Sequence, residues 1–135
     1  MGLKKKICCI ANPISGSAVS KRRKNNLHAS LQDYLDSSKY EYVVKETEYQ
    51  GHGITLAKEA VASGYDIIVA VGGDGTINEI ARTLVNTDAV MAIIPAGSGN
   101  GLARHLGIPL AFKGAIEVIN ASHVFKMDTG TIGSL

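Results

Sequence analysis

Apolar and polar positions follow two different periods along this chain. Lys6 to Ala11 is a short apolar run that reads as a strand, and Tyr40 to Thr47 reads as a second. Between them, Ser17 to about Asp36 carries Leu27, Leu31, Tyr34 and Leu35 at helical spacing. Gly51 to Ser63 repeats the helical pattern through Ile54, Ala57 and Val61. Asp66 to Val71 is a strand that runs directly into Gly72-Gly73-Asp74-Gly75. A helix from Thr76 to Val85 follows, with Ile77, Ile80, Ala81, Leu84 and Val85 on one face. Ala89 to Pro95 is a further strand, Gly97 to Gly101 is a loop, and a short turn lies near Arg104. Leu110 to Asn120 is a helix through Phe112, Ala115, Ile116 and Ile119, and Val124 to Asp128 begins one more strand. Strands alternating with helices predict an α/β fold with a mostly parallel sheet covered on both faces. Ligands of such sheets sit at the carboxyl ends of the strands. Each glycine-rich stretch falls at such an end: Asn12 to Gly16, Gly72 to Gly75, and Pro95 to Gly101.

Composition narrows the class. At 135 residues, 45% hydrophobic and 19% charged, the chain fits one globular domain with a sizeable core. No apolar stretch approaches the roughly 18 residues a membrane span needs. The run Ile7 to Ala11 is too short for a signal-peptide core, and Lys6 spoils the Met1-Gly2 start as a myristoylation site. These features place the protein in the cytoplasm. Cys8 and Cys9 are the only cysteines, and as strand neighbours they point to opposite faces, which suits reduced core residues. Formal net charge is +2, but Lys4, Lys5, Lys6 and the run Lys21-Arg22-Arg23-Lys24 concentrate positive charge near the start. That run reads either as a solvated helix face or as an attraction for phosphate or anionic membrane. Few aromatics interleave it, which argues against nucleic acid.

The loop after the third strand carries the most chemistry. Glycines at 72, 73 and 75 let the backbone approach a bulky anion, and the amides opening the following helix favour negative charge. Asp74 would repel a bare phosphate, so a carboxylate there implies Mg²⁺ or a hydroxyl to be polarised. The combination fits phosphoryl transfer, in which positioning and charge neutralisation do most of the work. A structural reading stands beside it. Asp74-Gly75 is a common turn pair, and Thr76 to Glu79 fits a capping box with Thr76 capping the helix. Pro95-Ala96-Gly97-Ser98-Gly99-Asn100-Gly101 is a second loop rich in exposed amides and side-chain donors. Asn12-Pro13-Ile14-Ser15-Gly16-Ser17 has the same character, or is only a strand-to-helix turn. There is no Walker sequence, no serine-hydrolase elbow and no histidine pattern with zinc spacing.

Taken together, Asn12-Pro13-x-Ser15-Gly16, then Gly72-Gly73-Asp74-Gly75-Thr76-x-Asn78-Glu79, then Pro95-x-Gly97-Ser98-Gly99-Asn100-x-Leu102-Ala103-Arg104 resemble the diacylglycerol kinase catalytic-domain family. That family includes sphingosine kinases and bacterial lipid kinases. The resemblance covers essentially the whole chain. It implies a three-layer α/β/α domain like the nucleotide lobe of NAD kinases. It also implies a lipid kinase that transfers the terminal phosphate of ATP, with Mg²⁺, to a lipid hydroxyl in phospholipid metabolism. Carried over by position, Asn12, Pro13, Ser15 and Gly16 would line the nucleotide, and Thr47 would contact ATP. Gly72, Gly73, Gly75, Thr76, Asn78 and Glu79 would hold the phosphates. Asp74 would be the acidic residue of the active centre, beside the acceptor hydroxyl and Mg²⁺. Gly97, Ser98, Gly99 and Asn100 would close the cleft.

Two departures accompany the resemblance. His52-Gly53 stands where family members usually carry His-Ala, which weakens the helix start. The family also has a second, β-rich lobe that supplies the lipid site. Residues 1–125 correspond to the nucleotide lobe, and 126–135 look like the crossover into the absent lobe. The expectation is therefore a lobe inactive by itself, whose lipid acceptor needs the missing part, with the basic segment aiding contact with anionic membranes. Two alternatives remain: a NAD kinase relative, which shares the aspartate loop but lacks the Pro95 to Arg104 motif, and a nucleotide-binding regulatory module without catalysis.

Overall fold

Side chains in the middle of the sheet have water on neither face, and this decides which apolar runs become which strands. A computed structural model describes residues 3–12, 27–95, 107–108 and 112–121. Its sheet has four parallel strands: β1 (Lys5–Ala11), β2 (Tyr40–Glu46), β3 (Ile67–Gly72) and β4 (Val90–Pro95), in the order β2-β1-β3-β4. All of β3 is buried, and so are Ile7 to Ile10 of β1. Continuous apolar runs of this kind are what strands covered on both faces require. β2 lies at the edge and alternates: Tyr40, Tyr42, Val44 and Glu46 are covered or partly covered, while Glu41, Val43 and Lys45 are exposed. Register is unbroken, with Ile7 opposite Ile67 and Ala11 opposite Val71.

The crossovers are α1 (described over 27–34), α2 (His52–Ala62) and α3 (Asp74–Leu84), and α4 (Phe112–Asn120) follows β4. α2 and α3 pack on each other over one face of the sheet. α1 and α4 meet on the other, where the Asn120 amide accepts from the Asp36 N–H at 2.8 Å and donates to the Tyr34 carbonyl at 2.6 Å. The Tyr40 hydroxyl donates to the Ile119 carbonyl at 3.1 Å and fastens the end of α4 to the start of β2. The result is the expected three-layer domain. Leu27, Leu31 and Leu35 of the first helix are buried, but Tyr34 is 39% exposed.

Two elements differ from the pattern-based expectation. α2 buries Gly53, Leu56, Ala57 and Ala60, while Val61 is only partly buried against the core and Ile54 is half-buried. This set and the expected stripe share Ala57, and the set with the smaller residues is the more deeply buried. A Cβ at Gly53 would lie 3.7 Å from Glu79 Oε2 and 3.7 Å from Ile80 Cγ1, so small residues let α2 approach α3 closely. The second difference is the start of α3. It begins at Asp74, not Thr76, with Gly73 as N-cap and no side-chain cap. The capping box at Thr76 to Glu79 is therefore not formed, and Asp74-Gly75 is the first turn of a helix rather than a free turn. The expected boundary near 125 and the strand from Val124 lie outside the described residues.

Candidate functional site

The order β2-β1-β3-β4 reverses direction between β1 and β3. A crevice opens at the carboxyl ends of strands where the order reverses, because the helices leave on opposite faces. Asn12 follows β1 at this point and Gly73 follows β3; the Asn12 N–H donates to the Val71 carbonyl at 3.1 Å. The Asn12 side chain ties three segments together. Its Oδ1 accepts from the Thr47 hydroxyl just beyond β2 at 3.1 Å, and its Nδ2 donates to Thr76 Oγ1 in α3 at 3.1 Å. An open cleft of about 620 Å³ lies over this bridge, lined by Asn12, Thr47, Glu48, Tyr49, Gln50, Gly75, Thr76 and Glu79.

The helix start under the cleft is built for an anion. The first hydrogen bond within α3 is Ile77 N–H to the Gly73 carbonyl at 3.1 Å, and among the described residues no side chain caps the amides of its first turn. Such amides carry partial positive charge and need an acceptor from elsewhere. The glycines divide by what surrounds them. A Cβ at Gly72 would come within 3.1 Å of Thr76 Cβ, so that glycine is needed to seat Thr76 beside β3. A Cβ at Gly73 or Gly75 would meet nothing within 4 Å among the described residues. Packing among those residues therefore makes no demand for glycine at these two positions.

Asp74 stands in the same first turn. Its Oδ1 is buried and has no hydrogen-bond partner among the described residues. A buried carboxylate oxygen without a donor is costly, and a cation would relieve it. Among the described residues no group of three His, Cys, Asp or Glu could hold a metal ion. Mg²⁺ does not require one, since it is commonly held by one or two carboxylates, phosphate oxygens and water. Asp74 thus fits Mg²⁺ brought with a polyphosphate, and the described residues offer no cage of protein ligands for a metal.

Of the residues singled out from the sequence, Asn12, Thr47, Gly75, Thr76 and Glu79 line the cleft, while Gly72 ends β3, Gly73 caps α3 and Asp74 opens that helix. Asn78 lines an adjoining groove between α2 and α3, with Ile54, Lys58, Gly75, Glu79, Arg82 and Thr83. Pro13, Ser15, Gly16, Gly97, Ser98, Gly99 and Asn100 lie outside the described residues, as does the basic run Lys21 to Lys24. Glu48, Tyr49 and Gln50 were not picked out from the sequence. Their one signal was position, directly after Thr47 at the end of a strand.

Comparison with known proteins follows the same lines. Residues 6–132 match the family model described as the diacylglycerol kinase catalytic domain. A protein of Staphylococcus haemolyticus (strain JCSC1435) named diacylglycerol kinase is 35% identical over 130 residues, covering 93% of this chain and 37% of that protein. One of Staphylococcus epidermidis (strain ATCC 35984), also named diacylglycerol kinase, is 32% identical over 134 residues, covering 98% of this chain and 41% of its own length. A crystal structure of a diacylglycerol kinase from Bacillus anthracis str. Sterne superposes with a TM-score of 0.69 at 27% identity, over 88% of this chain and 44% of that one. The chain therefore spans about two fifths of the length of these relatives.

Proposed function

The chain belongs to the diacylglycerol kinase catalytic-domain family, and from that membership we propose that it is the ATP-binding lobe of a lipid kinase. The observation that carries this reading is the start of α3, where among the described residues the first-turn amides are uncapped, a Cβ at Gly73 or Gly75 would meet no neighbour, and a buried Asp74 oxygen has no hydrogen-bond partner. Amides attract the polyphosphate, and Asp74 would repel it unless a cation stood between them. Bound with the nucleotide, Mg²⁺ neutralises charge on the phosphate oxygens during transfer. Asp74 would hold that ion and face the acceptor hydroxyl. Asn12, Thr47 and Thr76 fix the ends of β1, β2 and α3 relative to one another, so the cleft is ordered before ligand arrives.

The acceptor is a lipid hydroxyl, on the strength of the family alone; diacylglycerol, a sphingoid base or a related lipid would each fit. Residues 1–125 form the nucleotide lobe on this reading, and the acceptor site belongs to the remainder of a kinase of the relatives' length. Lys21-Arg22-Arg23-Lys24 would draw such a kinase to anionic membrane. No helix among the described residues is long and apolar enough to cross one. This chain alone should then bind MgATP without phosphorylating lipid.

A thermal melt tests the proposal. Saturating MgATP, at about a hundred times its dissociation constant, should stabilise the chain by about 2.7 kcal/mol, a shift of several degrees. NAD should give no shift, and Asp74→Ala should reduce the MgATP shift. A shift with NAD and none with MgATP would point instead to a NAD kinase relative. Labelled lipid formed from ATP and diacylglycerol micelles by this chain alone would contradict the divided site.

A further inference from the structure

Tyr49 is a large aromatic side chain that is 60% exposed, on the lining of the cleft. An exposed ring on a connecting loop ordinarily gains little from being held still. This one is held. It stacks on the His52 imidazole with ring centroids 4.4 Å apart and planes 14° from parallel. The imidazole is fixed in turn: its Nδ1 accepts from the Glu48 N–H at 3.0 Å, and the His52 N–H donates to the Tyr49 carbonyl at 3.1 Å. The accepting Nδ1 requires a neutral ring with its proton on Nε2. One face of Tyr49 is thus covered by a fixed partner, while more than half of the residue remains exposed on the lining of the cleft.

A flat, rigid, half-covered ring beside an anion site suits a ligand with an aromatic part as well as phosphates. Bases stack on aromatic side chains whatever their identity, because every base has a π-face. Gln50, next along the same lining, offers both a donor and an acceptor for a base edge. Gly75 and Thr76 line the α3 side of this space and Tyr49 and Gln50 the β2 side, with Asn12 and Thr47 bridged between them.

We propose that Tyr49, braced by His52, is the stacking platform for the nucleobase of the phosphoryl donor. The base then lies toward the β2 side with Gln50 at its edge, and the phosphates lie toward α3. This inference rests on the nucleotide reading of the cleft and adds to it which end holds the base.

Affinities of the chain, Tyr49→Ala and Tyr49→Trp for MgATP and for magnesium tripolyphosphate, which has no base, separate the two. Tyr49→Ala should weaken MgATP binding by about 5-fold to about 150-fold, the range of a lost base stack. It should leave tripolyphosphate binding unchanged, and Tyr49→Trp should keep the MgATP affinity. If tripolyphosphate binds too weakly to detect, loss with Ala and retention with Trp on MgATP alone support the platform. Equal losses for both ligands would mean that Tyr49 only holds the loop, and an unchanged MgATP affinity would put the base elsewhere; either overturns the proposal. Unmodified chain that takes up neither ligand would overturn the nucleotide reading itself, and the platform with it.

Discussion

Two glycines, Gly72 and Gly75, show how one sequence motif mixes two kinds of requirement. Gly72 is there for the protein, because a methyl group would press on Thr76 at 3.1 Å and disturb its bond to Asn12. Gly72→Ala should cost about 1–3 kcal/mol of stability, the usual penalty for overpacking a tight site. Gly75 sits inside α3, and a Cβ there would meet nothing within 4 Å among the described residues. Gly75→Ala should leave the melting temperature unchanged or slightly raised, and should weaken MgATP binding by putting a methyl group where a phosphate would lie. Loss of stability without loss of binding at Gly75 would contradict this division. The buried cysteines are a separate matter. Burial pushes the Cys9 thiol far above its ordinary value, with Cys8 adding to the effect. Burial also raises Cys8, against an opposing pull from Lys45. The unfolded chain therefore releases thiol protons near the ordinary value of 9.0 while the folded chain keeps them. Stability must then fall as pH rises above that value, by up to about 1.4 kcal/mol per pH unit for each group. Melts between about pH 8 and about pH 10 should show a shallower decline for Cys9→Ala than for the unmodified chain; equal slopes would argue against a retained thiol proton.

At the scale of the element, strands were easier to read than helix faces. β1, β3 and β4 are unbroken apolar runs ending in glycine, proline or asparagine, and burial on both faces leaves such runs few alternatives. In α2 two overlapping stripes pass through Ala57, and the neighbouring helix decides that Gly53 is fully buried while Ile54 and Val61 are covered only in part. Ile54 consequently lines a groove while Gly53 is buried against Glu79 and Ile80. α3 began earlier than expected because Thr76 to Glu79 looks like a capping box, whereas Thr76 spends its hydroxyl on Asn12. That tertiary bond is invisible to local pattern. Gly53 offers a test at this scale. Its backbone is not in the left-handed region, and the surroundings of a Cβ there are ordinary contacts of 3.7–3.8 Å. Gly53→Ala should stabilise the chain by about 0.4–1 kcal/mol through reduced freedom of the unfolded state. Destabilisation would show that the α2–α3 approach is tighter than these distances indicate.

For the molecule as a whole, the site follows from topology. A parallel sheet in the order β2-β1-β3-β4 opens a crevice between β1 and β3. The chain places there an asparagine bridge and a helix start that, among the described residues, is uncapped and carries a buried Asp74 oxygen without a partner. The Gly72–Gly75 stretch was legible because it falls at a strand end, whereas Pro13 to Gly16 and Gly97 to Gly101 lie outside the described residues. Tyr49 and Gln50 were not legible, since their role depends on the stack with His52 and on which loop faces the cleft. The central claim is that nucleotide phosphates occupy the start of α3, over the Asn12 bridge. It is tested most directly by following backbone amide resonances of this chain through a titration with MgATP. The largest shifts should fall on residues 72–76, with smaller ones at Asn12 and Thr47, and Asp74→Ala should diminish them. Saturable shifts confined to another surface, or none in residues 72–76, would contradict the account.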